Sequence, residues 1–290
     1  MKNNLKKIIT LLLIQLCLFY SFGQTKKYNC KLPKNDSAHF DPYYNGHLCE
    51  NFNPQQTNFS KEYLDLQTKR YVKKRNELNK SLQYDYSSIW LTSDRQQNGI
   101  IGLNYQRIQF HIDNVTQSNK FDTYIVKGKS KVNNNICDFS GELKLLKLFY
   151  GECDDPKYRK CAELFGSYIF NEDSSQNHSG FFKGIMECSV YLDHAGKKML
   201  LDESTDEADG YWNRTFIGTW TDYKTKKEKK CIWGDYRLPF TFDFDTGDGE
   251  MIVSDKYVMN GWKEYNDDSE LIEVASDKFE LKNKWWKNKK

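Results

Sequence analysis

The sequence predicts a mainly β protein: an antiparallel meander forming a strongly curled sheet or small barrel, with flanking N-terminal and C-terminal helices. Three observations carry this expectation. Aromatic residues make up 15% of the chain, with 19 Tyr, 18 Phe and 7 Trp, although the chain is hydrophilic on average. A disordered chain is poor in aromatics, and bulky rings favour sheet. From Ser88 onward apolar residues recur every second position, the period of a strand with one buried face. Four stretches also repeat one pattern: apolar, any, Gly, any, large apolar. They are Phe139 to Leu143, Leu164 to Tyr168, Phe182 to Met186 and Phe216 to Trp220. Glycine inside a strand weakens it and is kept where the sheet bends or another group comes close. Successive glycines of this kind point to a barrel, which also hides its edges.

The chain opens with a leader. Lys2, Lys6 and Lys7 precede an apolar run from Ile8 to Phe22, broken by Thr10, Gln15 and Ser21. Charge, short apolar core and small residues Ser21 and Gly23 form the pattern of a secretory signal peptide. It is expected to span 1–23, with the cut before Gln24. The run is shorter than the roughly 20 residues of a membrane-spanning helix, so no span is expected after its removal. Gln15 and Leu16 before Cys17 do not suit a lipoprotein cut. The leader also sets the charge. The chain has 43 basic and 40 acidic residues. Removing three leader Lys leaves 40 of each, so the mature chain lacks the basic excess that nucleic-acid binding needs.

Residues 24–58 are polar and irregular, with Pro33, Pro42 and Pro54. A surface helix is expected over 59–84. Ser60 caps it, and Leu64, Tyr71, Leu78 and Leu82 form one apolar stripe. The antiparallel β domain is expected over 86–238, with eight to ten strands joined mostly by short turns. The last unit, 239–290, is expected to hold a helix from Ser269. Leu271, Ala275 and Phe279 recur there at spacing four, before Lys284-Trp285-Trp286-Lys287. Such a Trp pair suits an interface, either a membrane surface or the protein's own barrel.

Gly218-Thr219-Trp220 is similar to the Gly-x-Trp element of lipocalin and avidin-type barrels, where it closes one barrel end. Phe216 to Trp220 also looks like a fragment of a MORN repeat, without that repeat's period. A longer set of residues resembles an uncharacterised group of secreted bacterial proteins with no assigned activity. It comprises Asn133 to Gly141, Phe216 to Lys224, Lys229 to Arg237, Gly247 to Glu250 and Asn260 to Trp262. That resemblance implies a periplasmic or extracellular setting and no activity.

Seven Cys follow the leader, an odd number. Cys30 with Cys49 and Cys153 with Cys161 are the pairs favoured by proximity, and Cys137, Cys188 and Cys231 read as buried thiols. No Cys-x-x-Cys occurs. His39, His47, His111, His178 and His194 show no ligand spacing, apart from the first two in one loop. The sharpest ionic motif, Asp243 to Glu250, alternates Asp with Gly as calcium loops do. It departs from the EF-hand at Gly247 and Ser254, and a polar turn is the expected reading. No nucleophile elbow or phosphate loop is present, and no carboxylate pair stands out. No metal or cofactor is therefore expected, and catalytic residues are unknown. Ligand-facing aromatics, if the protein binds a ligand, are expected among Tyr211, Trp212, Trp233 and Trp262. The expected function is a non-catalytic binding or structural module of the cell envelope. Its partner is a small ligand, a glycan or an envelope protein. The rival is a carbohydrate-binding protein or carbohydrate-active hydrolase. An interior cavity would favour small-ligand binding, and a solid barrel core an interaction protein.

Overall fold

The computed structural model describes residues 64, 68, 71 and 73–287, apart from 93–95, 154, 205, 207–211, 240 and 276–277. The expected leader, the 24–58 segment, Cys30, Cys49, His39 and His47 lie outside the described residues.

Eight strands close into an antiparallel barrel. In chain order they are β1 (Gln97–Ile101), β2 (Gln106–Gln117), β3 (Thr123–Val132), β4 (Asn135–Tyr150), β5 (Arg159–Glu172) and β6 (Gly180–Leu192), then β8 (Trp212–Asp222) and β9 (Glu228–Tyr236). Each lies beside the one before it, and β9 closes the ring onto β1. β7 (Met199–Leu201) is an extra short strand on the end of β6. The up-and-down order follows from short connections: a turn of a few residues returns the chain only to a neighbouring antiparallel strand. The small barrel that the sequence predicts is therefore present, and it is compatible with a lipocalin-type barrel.

The period-2 residues face inward. Ile108, Phe110 and Ile112 of β2, and Phe182, Met186 and Cys188 of β6, are all buried in one core. Gly184 lies directly opposite Gly218 on the paired strands β6 and β8. A Cβ at Gly184 would stand 2.1 Å from the Ile217 carbonyl, and one at Gly218 would stand 2.0 Å from the Lys183 carbonyl. The two backbones approach so closely here that any side chain is excluded. In β4 a register shift between Leu145 and Lys147 reverses the alternation, so Leu148 joins the interior core.

One barrel end is plugged by the segment before β1. Leu78, Tyr84, Tyr86, Ile89 and Trp90 belong to the interior core. Tyr86 donates its backbone N–H to the Tyr124 hydroxyl at 3.2 Å, and the Trp90 and Tyr124 rings lie 5.0 Å apart. The long helix expected over 59–84 is not continuous. Leu64 and Thr68 are helical, residues 75–77 are not, and the following helix α1 (Leu78–Ser81) is one turn. Asn76 gives the reason: its Oδ1 accepts from the backbone N–H groups of Leu78 and Leu148, and Glu77 N–H donates to the Leu148 carbonyl. Tertiary partners replace the helical ladder there.

Residues after β9 wrap the outside of the barrel. Helices α2 (Asp255–Val258) and α3 (Lys263–Asn266) are short. Phe244, Val253, Tyr257 and Trp262 pack with outward-facing Ile100, Ile185, Ile217 and Ile232 in a second core. These four strands are thus buried on both faces. The helix expected from Ser269 is a correction: the chain forms a hairpin, β10 (Leu271–Ala275) with β11 (Lys278–Leu281). A spacing of four is also a multiple of two, so this pattern suits a strand as readily as a helix. Ile272 and Val274 are β-branched and tip the choice toward the strand. Trp285 and Trp286 follow in a single 3₁₀ turn and are buried against the barrel.

Candidate functional site

The barrel interior is filled by rings. Trp233 is sandwiched between Phe110, with centroids 4.0 Å apart, and Phe216, 4.8 Å away, both stacked on it. Tyr168 and Phe182 meet the same indole edge-on at 5.1 and 5.7 Å. Every one of these side chains is buried. An aromatic packed on both faces and its edges leaves no room for a ligand at that level of the barrel.

The end opposite the Trp90 plug is held by Glu172, at the close of β5. Its carboxylate accepts from the Trp220 indole at 2.9 Å, from the Gly180 backbone N–H at 2.8 Å and from the Ser130 hydroxyl. Four strands therefore meet on one buried carboxyl group. Burial pushes its pKa up, while the three donors pull the other way. Trp220, the last residue of the Gly-x-Trp element, does close this end.

The aromatic candidates do not converge. Trp233 lies in the interior core and Trp262 in the second core, and neither is exposed. Trp262 donates its indole N–H to the Tyr105 carbonyl at 2.8 Å and lies beneath the Arg107 guanidinium. Both rings complete hydrophobic layers. Trp212 opens β8 opposite Tyr236, and its side chain lies outside the described set. Tyr211 is not among the described residues.

The alternating Asp and Gly loop encloses a side chain of the protein itself. Arg237 donates to the Asp245 carboxylate at 2.7 Å and to the carbonyls of Gly247, Asp248 and Gly249. Asp245 Oδ1 also accepts from the backbone N–H groups of Gly247 and Ile252. The oxygens of this loop close on a guanidinium, which explains a calcium-like spacing in a polar turn. Asp243 instead accepts from the Tyr257 hydroxyl and pairs with Lys256. Among the described residues no group of three or more His, Cys, Asp or Glu is placed to hold a metal ion.

A solvent-facing hollow of about 590 Å³ lies on the outer wall of β3, β4 and β5. Lys127, Ser140, Glu142, Lys144, Ile169 and Asn171 line it. Ile169 is 54% exposed, unusual for an isoleucine in the middle of a strand. Lys144 makes one long ion pair with Asp122 at 3.7 Å. Lys127 and Glu142 have no ion-pair partner among the described residues. The C-terminal wrap covers the other side of the barrel, over β1, β6, β8 and β9. Sequence reading missed this hollow because its residues sit at the polar positions of ordinary alternation. The signals were Ile125 and Ile169, apolar residues whose neighbours two residues away are polar: Thr123 and Lys127 for the first, Ser167 and Asn171 for the second.

Cys153 and Cys161 form a disulfide, and Cys137, Cys188 and Cys231 are buried. No helix of the described residues is long and apolar enough to cross a membrane. No protein-family model, curated protein or solved structure matches this chain.

Proposed function

We propose that this protein is an exported, non-catalytic interaction module of the bacterial cell envelope that holds a partner protein against the outer wall of β3 to β5. One observation carries the reading: the barrel axis is occupied by Trp233 between Phe110 and Phe216. Recognition then falls to the outside. The hollow combines an exposed Ile169 with the charged groups of Lys127, Glu142 and Lys144. An apolar centre with a polar rim is the anatomy of a protein-binding patch. The only aromatic side chain in the lining, Tyr168, is buried. That favours a protein over a glycan, since sugars are held largely by stacking on exposed rings. Glu142 is the single carboxylate of the lining, so the hollow lacks the acid pair of a glycoside hydrolase. Export is supported by the leader-like residues 1–23 and the Cys153–Cys161 disulfide, which suits an oxidising compartment.

A photo-crosslinking residue placed at Ile169 in the exporting cell tests the proposal. A discrete protein adduct, absent when the same probe replaces exposed Phe121 and lost in K127E/K144E, is the expected result. Equal labelling from both positions, or binding on a glycan array instead, would overturn it.

A further inference from the structure

Under the C-terminal hairpin lies a second, smaller pocket of about 180 Å³. It shares no residue with the β3 to β5 hollow. Gln109 of β2, Lys131 of β3 and Gln96 form its floor. Glu264, Ser269, Glu270, Leu281, Lys282 and Asn283 of the C-terminal wrap form its rim, with Trp285 as a wall.

The hydrogen bonds fix which end of each amide carries the oxygen. An indole N–H only donates. Trp285 Nε1 lies 2.7 Å from one end of the Gln96 side chain, so that end is the carbonyl oxygen. The same oxygen accepts from Gln109 Nε2 at 2.9 Å. Both amides are thereby oriented. Gln96 turns its NH₂ group, and Gln109 its carbonyl oxygen, away from their mutual bond, and neither atom has another partner among the described residues. The Lys131 ammonium lies 5.6 Å from the centre of the Trp285 ring. It makes no hydrogen bond or ion pair among the described residues, although it is half-buried. Arg107 and Glu270 behind it neutralise each other in a two-point ion pair at 2.8 and 2.9 Å. Burial, and then the nearby Arg107 charge, depress the pKa of Lys131, while the Glu264 and Glu270 carboxylates of the lining act the other way. A lysine held this way gains from an anion.

We propose that this pocket binds a small hydroxycarboxylate. Its carboxylate meets the Lys131 ammonium and the Gln96 NH₂ group, and its hydroxyl donates to the Gln109 carbonyl oxygen. Charge-assisted bonds of the first kind are the stronger ones and set affinity. The Gln109 acceptor sets selectivity, because a ligand without a donor leaves it unpaired. The space holds the volume of about six water molecules, which suits a ligand the size of glycerate or lactate. The site exists only with the C-terminal wrap docked, since barrel and wrap each supply half of it.

Isothermal titration of the full chain with glycerate, and with glycerol as the uncharged control, tests the proposal. Glycerate is expected to bind and glycerol not. K131Q should weaken glycerate binding about tenfold or more. Q109L should remove the preference for glycerate over propionate while both still bind. Near-ultraviolet circular dichroism verifies that each variant is folded. The proposal is overturned if neither glycerate nor lactate binds at about 10 mM, an affinity scale near the weakest specific binding. Equal affinity in folded K131Q, or equal binding of glycerol, would overturn it as well.

Discussion

Trp220 donates its indole N–H to Glu172 at 2.9 Å, tying β8 to the end of β5 across the mouth of the barrel. Ser130 and Gly180 bring β3 and the start of β6 to the same carboxyl group. A buried acid with three donors and no cation among its hydrogen-bond partners gives the barrel a pH-dependent closure.

The sign follows from burial. The pKa of Glu172 is raised above its ordinary 4.5, so the folded chain holds a proton that the unfolded chain has released. Its contribution is complete below about pH 4.5 and is lost as pH rises through the folded value. Urea denaturation of wild type and E172Q across pH 4 to 8 should show that slope only in wild type. Parallel curves would refute the account. E172A should cost about 1–3 kcal/mol for each donor it leaves buried and unpaired.

Lys230 works in the opposite sense. It is buried on the outer face of β9, beneath the C-terminal wrap, with its ammonium 5.3 Å from the Tyr105 ring centre. Burial pushes its pKa from 10.5 down to about 7. Between those values the unfolded chain binds more protons, so wild type gains stability as pH rises from 7 toward 10.5. The stability of K230M relative to wild type should therefore fall steadily across that window. Thermal melts at pH 7, 8.5 and 10 measure it, and a difference that stays constant contradicts the prediction.

The facing glycines set the curl of the wall. At Gly218 the nearest obstacle to a Cβ is the Lys183 carbonyl at 2.0 Å, and Gly184 itself stands behind it. Backbone cannot swing aside as a side chain does. G218A should cost about 3 kcal/mol or more, the upper range for overpacking. At Gly166 the obstacles are milder: the Lys144 carbonyl at 2.9 Å and the flexible Met186 methyl at 3.0 Å. G166A should be clearly the less damaging of the two in chemical denaturation, and the reverse order would count against this reading of the wall.

The C-terminal wrap is fastened by Arg107. Its guanidinium pairs with Glu270, bonds to Asn98 and lies over the Trp262 and Tyr265 rings. Removing one partner of a buried pair typically costs about 3–5 kcal/mol. Asn98 stays in place, so E270A should fall toward the lower end. The loss should be local. Limited proteolysis of E270A is expected to cut within 267–287 much faster than wild type, while the barrel survives. Uniform sensitivity over the whole chain would show that the wrap and barrel do not separate.

Much of the barrel was legible because strand geometry writes directly into sequence. Ile108, Phe110 and Ile112 alternate with polar residues, and an in–out wall requires that alternation whatever the rest of the chain does. The in-strand glycines of β4, β5, β6 and β8 were legible as sites of close approach. The Cys153–Cys161 disulfide was legible from short separation, which limits how far two thiols can part. What lay beyond the sequence was every relation between distant segments. Outward Ile100, Ile185, Ile217 and Ile232 break simple alternation, but only the docked wrap says what covers them. Trp233 and Trp262 look alike as residues, yet one fills the barrel axis and the other the outer layer. Asp243 to Glu250 has the spacing of a cation loop, and the cation its oxygens close on is Arg237, held by contacts no spacing rule contains. The tail from Ser269 fits two periods equally, and pairing of β10 with β11 chose between them. Local periodicity determined the strands and their buried faces. The closing of the barrel, the burial of its Trp residues and the surfaces left open were decided only when the chain packed on itself.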